Sequence, residues 1–295
     1  MKEKFLSKAI RFKRSGNAAY CTMDPLPIVE PQEPVNSSIV WNGKWSSPVE
    51  NSTLVIPKAV CEPISIVYQP SSDKSSLRIV VEEGASVRIL ESFEGRGSFH
   101  TKVIMEIHSG GMCEYARMEP EYIELQSTFE AYLQANAQLF CTSVMQGLSS
   151  ERTSCIYLQG QHARVETKSL SFALDSANHY IKSRVEHEQP KTFSDQLFKS
   201  VVIGSSTADS CVYVHPCAQQ SETHQLSRFL ALDECAKCVN KPSLQVCADD
   251  VIATHGATTG QIDEQMLFYF AARGICRRKA KELCIQGFCE GFLYE

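Results

Sequence analysis

Long apolar runs are missing from this chain, and none approaches the roughly 20 residues needed to cross a bilayer. The opening stretch, MKEKFLSKAIRFKRSGNAAY, lacks the uninterrupted apolar core of a secretory signal. Excess basic charge is missing too. The formal net charge is -5, whereas nucleic-acid binders carry surplus Lys and Arg to neutralise phosphates. These absences predict a soluble, cytoplasmic protein that binds neither membrane nor nucleic acid. The balance of 43% hydrophobic and 21% charged residues over 295 positions is that of a globular chain, enough for one large domain or two ordinary ones.

Signatures of catalysis are equally scarce. There is no G-x-x-x-x-G-K-[ST] loop, no G-x-G-x-x-G after a strand, no G-x-S-x-G elbow and no H-E-x-x-H. Cys235 and Cys238, in ECAKCV, form a lone C-x-x-C pair where a tetrahedral zinc or Fe–S site needs four ligands. The 13 cysteines are odd in number and scattered from Cys21 to Cys289, which fits no secreted disulfide framework. Most are expected to be small buried hydrophobes. In VEHE, at 185–188, strand alternation sends the neighbours of His187 to the opposite face, so the three side chains are not expected to share an ion. His215, in YVHPCAQ, reads as a His-Pro turn; paired with Cys217 as a nucleophile it would lack a third, orienting group.

What is present is a change of rhythm along the chain. Phe5, Leu6, Ala9 and Ile10 share one helical face with Lys2, Lys4, Lys8 and Arg11 around the other, which predicts a short N-terminal helix. Eight of the 12 prolines fall within 22–70, as expected of an extended approach with few regular elements. From about residue 75 apolar side chains alternate in short runs, such as Leu77, Ile79 and Val81, or Val103, Met105 and Ile107. Breaks such as EEGAS, EGRGS and HSGGM separate them. Runs of this kind, recurring every ten to fifteen residues or so, indicate an all-β architecture. It extends over about 180 residues, more than a simple sandwich usually takes. Two stacked sandwiches, a jelly roll and a β-solenoid all remain open, with a slight lean to the solenoid.

After His255 the period turns helical. A polar turn leads to Asp263, placed to cap a helix that carries Glu264 in its first turn. Met266, Leu267, Phe270 and Ala271 share a face, and Gly274 is placed to end the helix. A second helix has Cys276, Ala280, Leu283, Cys284, Gly287 and Phe288 at helical spacing. Its opening Arg277, Arg278 and Lys279 have the wrong sign for a helix N-terminus, either as a solvated cluster or as a face for an acidic partner. His255 suits a hydrogen-bonded turn. An imidazole also suits iron or zinc and can join thiolates around a cluster, so a metal role for His255 stays open.

The stretch ADDVIATHGATTGQIDEQMLFYFAARGI, 248–275, closely resembles the C-terminal signature of the SufB/SufD family of iron–sulfur cluster assembly scaffolds. KSRVEHEQPKTFSDQLFK, the following GSSTADSCVYVHPCAQQSETHQ and KPSLQVCADDV resemble the same family upstream. His255-Gly256-Ala257-Thr258 is similar to the SufD branch, where SufB-like chains read EHEAT. Two departures stand out. Ala253 occupies a position where many SufD relatives have cysteine, and HQLSRFLAL at 224–232 replaces a family Q-x-N-R-N-L-L-L stretch.

The resemblance implies a right-handed parallel β-helix with short helical ends, divided as 1–70 approach, 71–255 core and 256–295 helical segment. It implies a non-catalytic scaffold that pairs with SufB through the last turns and binds two copies of the ATPase SufC. Leu267, Phe268, Tyr269 and Arg273 would then form the SufC-binding surface, and His255 would assist nascent cluster assembly. No tightly bound cofactor is expected on this chain: a transient Fe–S cluster would lie at the SufB interface, and SufC would bind the ATP. Alone, the chain is expected to be able to form a homodimer. Two rivals compete: a stand-alone metal-binding β protein using Cys235 and Cys238, and a β-helix lyase or hydrolase.

Overall fold

The computed structural model describes residues 10–15, 18–23, 52–58, 63–68 and 74–294. β1 (Ile10–Ser15) and β2 (Ala18–Met23) form an antiparallel pair. Most of the expected N-terminal helix lies outside the described residues; where it was to end, at Ile10 and Arg11, the chain is a strand. All remaining strands are parallel and fall into two sheets of eight.

One sheet contains β4 (Ile64–Tyr68), β6 (Ser86–Phe93), β8 (Met112–Met118), β10 (Gln138–Met145), β12 (Arg164–Ala173), β14 (Phe193–Val202), β16 (Ser221–Ala231) and β18 (Val251–Gln261). The other contains β3 (Ser52–Ile56), β5 (Lys74–Val81), β7 (Gly97–Ile107), β9 (Ile123–Leu133), β11 (Ser149–Leu158), β13 (Asn178–His187), β15 (Ser205–Val214) and β17 (Lys237–Val246). The chain thus alternates between an odd and an even sheet, laying each pair of strands on the previous pair. The result is a β-solenoid of about seven turns. β3 and β4 belong to it, although they lie in the proline-rich approach. Pro57 follows β3 and Pro63 precedes β4, so neither proline has to supply a ladder N–H from a strand interior.

The turn of the solenoid is set at its corners. Gly84, Gly110, Asn136, His162, Lys191 and Gln220 each stand just before an even-numbered strand with φ of 64, 68, 58, 60, 60 and 59°. This left-handed turn stacks rung on rung: the Gly110 N–H donates to Ala135 O, Asn136 to Gln161 O and Lys191 to Gln219 O, all at 2.9 Å. For the four that are not glycine the conformation costs roughly 1–2 kcal/mol each, which the stacked hydrogen bonds offset.

Within each rung the alternation read from the sequence becomes inside and outside. β16 is buried at every second position, and so is β15. The inward side chains of the early turns, among them Ile79, Met105, Ile107, Phe129 and Leu139, form the main apolar core. Embedded in it is a charged group. Arg117 lies between Glu91 and Glu119, its Nε 3.5 and 3.8 Å from their carboxylate oxygens, and its Nη2 donates to Thr101 Oγ1 at 3.0 Å. Tyr115 donates to Glu91, and Ser150 to Glu119 at 2.8 Å. Arg152 is also buried, beside a cavity of about 20 Å³ with room for one water.

Two helices close the chain, α1 (Glu264–Ala271) and α2 (Arg277–Tyr294). The Asp263 carboxylate accepts from the Gln265 N–H at 2.9 Å, the expected cap, and Gly274 ends the turn at φ 77°. Ile285, Cys289 and Phe292 of α2 pack on the outer face of the even sheet, against Val144, Leu170, Phe172, Leu197 and Val201. That cover explains why β14 is buried on both faces over its second half. The buried face of α2 differs from the one expected, because Cys276 and Gly287 are exposed. Its basic opening is neutralised within the chain: Arg277 pairs with both Glu264 oxygens, while Arg278 and Lys279 reach Glu282.

Candidate functional site at the end of the solenoid

His255 does not stand at a junction. It lies in the middle of β18, and the expected polar turn after it is the rest of that strand. The residues are polar because nothing among the described residues stacks on the next rung, not because the chain turns. In-register pairing places His255 beside Gln225, Gln225 beside Gln196, and Gln196 beside Thr167, Cys141, Tyr115 and Ile89 in succession. In-register parallel partners share a face of the sheet. His255 is therefore the last member of an inward-facing column, and it is exposed because that column ends there.

The end of the solenoid differs from its body. β17 keeps the alternation of β15 as far as Gln245 but is more exposed throughout, whereas β18 keeps that of β16 only as far as Thr254 and is exposed from His255 onward except at Gly256. Each of these terminal strands has one hydrogen-bonded neighbour among the described residues. β17 contains Pro242, which weakens it as a pairing edge, whereas β18 has no proline over its 11 residues. Val239, Val246 and Ile252 are exposed apolar residues on this rung. His224 pins the outer face, its Nδ1 2.8 Å from Thr254 Oγ1.

Below His255 the interior is polar. The side-chain N and O of Gln225, Nε2 of Gln196, the hydroxyls of Ser210, Ser227 and Thr167, and Oδ1 of Asn240 are buried without a protein partner. Groups of this kind need water or a ligand. Two buried histidines of β13 have their demand met within the protein. His187 is bonded through Nδ1 to Thr192 Oγ1 and through Nε2 to Ser194 Oγ, both at 2.8 Å. Burial lowers its pKa to about 4, so it is neutral at physiological pH. His179 is likewise depressed by burial, held between Ser171 Oγ at 2.6 Å and Gly147 O at 2.7 Å.

Of the four residues expected to meet SufC, the structure brings three to the surface. Phe268 is 76% exposed and Tyr269 53%, and the Arg273 guanidinium sits 4.3 Å from the Tyr269 ring centre. Leu267 is buried at 2% and is a packing residue of α1, not part of a docking face. Met266, at 49% exposed, takes its place beside the aromatics. Periodicity had grouped Met266 with Leu267, but only one side of this short helix is covered.

The cysteines also depart from expectation. Of the 11 cysteines from Cys113 onward, only Cys113, Cys141 and Cys289 are buried, and all are free. Half of all strand positions point outward, so a scattered small residue often lands there. Burial pushes the Cys141 thiol up to about 12 and Cys113 well above its ordinary value, which keeps both protonated. Cys235 is exposed; Cys238 lines an open groove with Asp233, Glu234, Thr259 and Gln261. Among the described residues neither joins a set of three close metal donors.

One such set does exist, and sequence reasoning missed it. His187 points inward as alternation requires, but Glu186 and Glu188 converge outside with His215. His215 does form the expected turn, with the Ala218 N–H donating to its carbonyl at 2.9 Å. A third, orienting group is present after all: Glu186 Oε2 accepts from His215 Nε2 at 3.1 Å. The two lie 29 residues apart, one rung of the solenoid, a period invisible until the corners are known.

The family description "SUF system FeS cluster assembly, SufBD core domain" matches residues 69–288, well over half of the chain. The protein ABCI7, chloroplastic, of Arabidopsis thaliana is 29% identical over 71% of this chain and 46% of its own length. The iron-sulfur cluster assembly protein SufD of Escherichia coli is 29% identical over 44% of this chain and 31% of its own length. SufB of Bacillus subtilis is 24% identical over 100% of this chain and 67% of its own length. The chain spans about half the length of several curated relatives, 46% and 44% in two of them. Among the described residues no helix is long and apolar enough to cross a membrane.

Proposed function

Because the chain belongs to the SufB/SufD family of iron–sulfur cluster assembly proteins, we propose that it is a non-catalytic scaffold subunit of a SUF assembly complex. The observation that carries this reading is the last rung, uncovered among the described residues, with His255 at the end of an inward polar column and β18 as a proline-free edge with no second strand partner among them. A SufB-like chain would pair along that edge and cover Ile252, as an exposed sheet edge with apolar neighbours favours. His255 would then face the join between the two chains, where a nascent cluster is handled as cargo rather than as a resident cofactor. The His-Gly-Ala-Thr sequence at 255–258 supports the SufD branch over SufB.

The same reading assigns the exposed face of α1 to a SufC-like ATPase, with Phe268, Tyr269 and Arg273 as anchors. Aromatic and Arg side chains carry interface energy disproportionately. ATP belongs to that partner. Assembly in the cytoplasm is part of the proposal, although one relative is named as chloroplastic, and fractionation of the source cell decides between the compartments.

Co-expression with SufB- and SufC-like chains from the same source, followed by native mass measurement, tests the proposal. The expected result is one mixed complex that retains SufC, and loses it in Phe268→Ala/Tyr269→Ala. A chain that stays alone or forms only a homodimer contradicts it, and stoichiometric zinc lost in Cys235→Ser would favour the stand-alone metal-binding reading.

A further inference from the structure

The outer face of the odd sheet carries a donor set that the scaffold role does not use. Val214 aligns with His187 one rung on, which sets His215 beside Glu188, while Glu186 projects from β13 on the same face. One ligand atom each from Glu186, Glu188 and His215 lies within 4.8 Å of the others, and all three residues are half-buried.

The three side chains are held from outside the set. Arg184 Nε donates to Glu186 Oε1 at 2.7 Å, which leaves Oε2 toward the imidazole. Gln159 Nε2 donates to Glu188 Oε2 at 3.1 Å. The Tyr213 ring packs edge-on against His215, with centroids 4.5 Å apart and planes at 87°. Ligating carboxylates and imidazoles are oriented by outer partners of this kind. Donors bound about 2.0–2.2 Å from an ion stand about 3–3.5 Å from one another. Binding would draw the three donors together to that range from their present separation.

We propose that Glu186, Glu188 and His215 bind one divalent first-row transition ion of the zinc, manganese or ferrous type. Two carboxylates and an imidazole suit such ions, whereas calcium and magnesium favour oxygen donors alone. Cys217 sits on the same turn, its thiol donating to Glu188 O at 3.0 Å, and is a candidate for a fourth, softer ligand. The site is separate from the end of the solenoid, and failure of partner binding leaves it untouched.

The test is titration of the full chain with Co²⁺ alone, read by visible absorption, with Zn²⁺ as competitor. The wild type is expected to bind cobalt stoichiometrically, and Glu188→Gln and His215→Gln each to weaken binding at least about tenfold with unchanged circular dichroism. His255→Ala and the Cys235→Ser/Cys238→Ser pair are expected to retain it. Should His215→Gln misfold, Glu188→Gln alone decides. Cobalt uptake indifferent to Glu188→Gln, or no uptake by the wild type, overturns the proposal.

Discussion

Two ends of one interior differ in what they do with polar groups. In the early turns the inward column runs Ile64, Ile89, Tyr115 and Cys141, and the charges beside it are gathered into one paired group around Arg117. In the later turns the same column runs Thr167, Gln196, Gln225 and His255, with buried amide and hydroxyl atoms left unpartnered. The backbone ladder is the same in both. What changes is the kind of polar group: the early turns bury carboxyl and guanidinium groups that pair with one another, although Glu91 Oε1, Glu119 Oε1 and Arg117 Nε keep no hydrogen-bond partner, while the later turns bury amides and hydroxyls on the approach to an open rung.

The contrast is broken most severely at Arg117. Arg117→Met leaves Glu91 and Glu119 buried without their cation and is expected to cost about 3–5 kcal/mol, measured by urea unfolding. Next comes acid. An unfolded histidine charges near 6.5, but folded His187 charges only at about 4, so the folded state binds fewer protons between these values. Its contribution is whole above about pH 6.5 and is lost as pH falls toward 4, by roughly 3 kcal/mol. His187→Gln should flatten that part of the stability profile, and an unchanged profile would contradict it.

Smaller effects sharpen the other side of the comparison. Gln225→Leu removes a buried amide that has no protein partner, so stability should change by no more than about 1 kcal/mol in either direction. A large loss would mean that Gln225 is satisfied structurally and the polar column is not functional. Gln220→Gly relieves a left-handed corner and should stabilise the fold by up to about 1 kcal/mol, seen as a higher unfolding midpoint.

Much of this was legible in the sequence wherever the cause is local. Alternation at Leu77, Ile79 and Val81 gave a strand with an inner face, and Asp263 and Gly274 marked the limits of α1. Features set by stacking were not legible from spacing alone. Asn136, Lys191 and Gln220 do not look like glycine, so the repeating corner went unseen, and with it the register that joins Glu186 to His215. The half of β18 after His255 read as a turn because its uncovered face is polar, while Leu267, which helical period grouped with the apolar face, was assigned to the surface only by the family resemblance. The signature around His255 marked the family through its motif, while the place of His255 at the end of a column needed the rung register.

The most direct test of the central claim is cluster reconstitution on the co-purified complex carrying His255→Ala. The account predicts a complex of unchanged native mass that has lost most of its cluster formation. Full cluster formation by the intact variant complex would show that the open end of this solenoid takes no part in assembly.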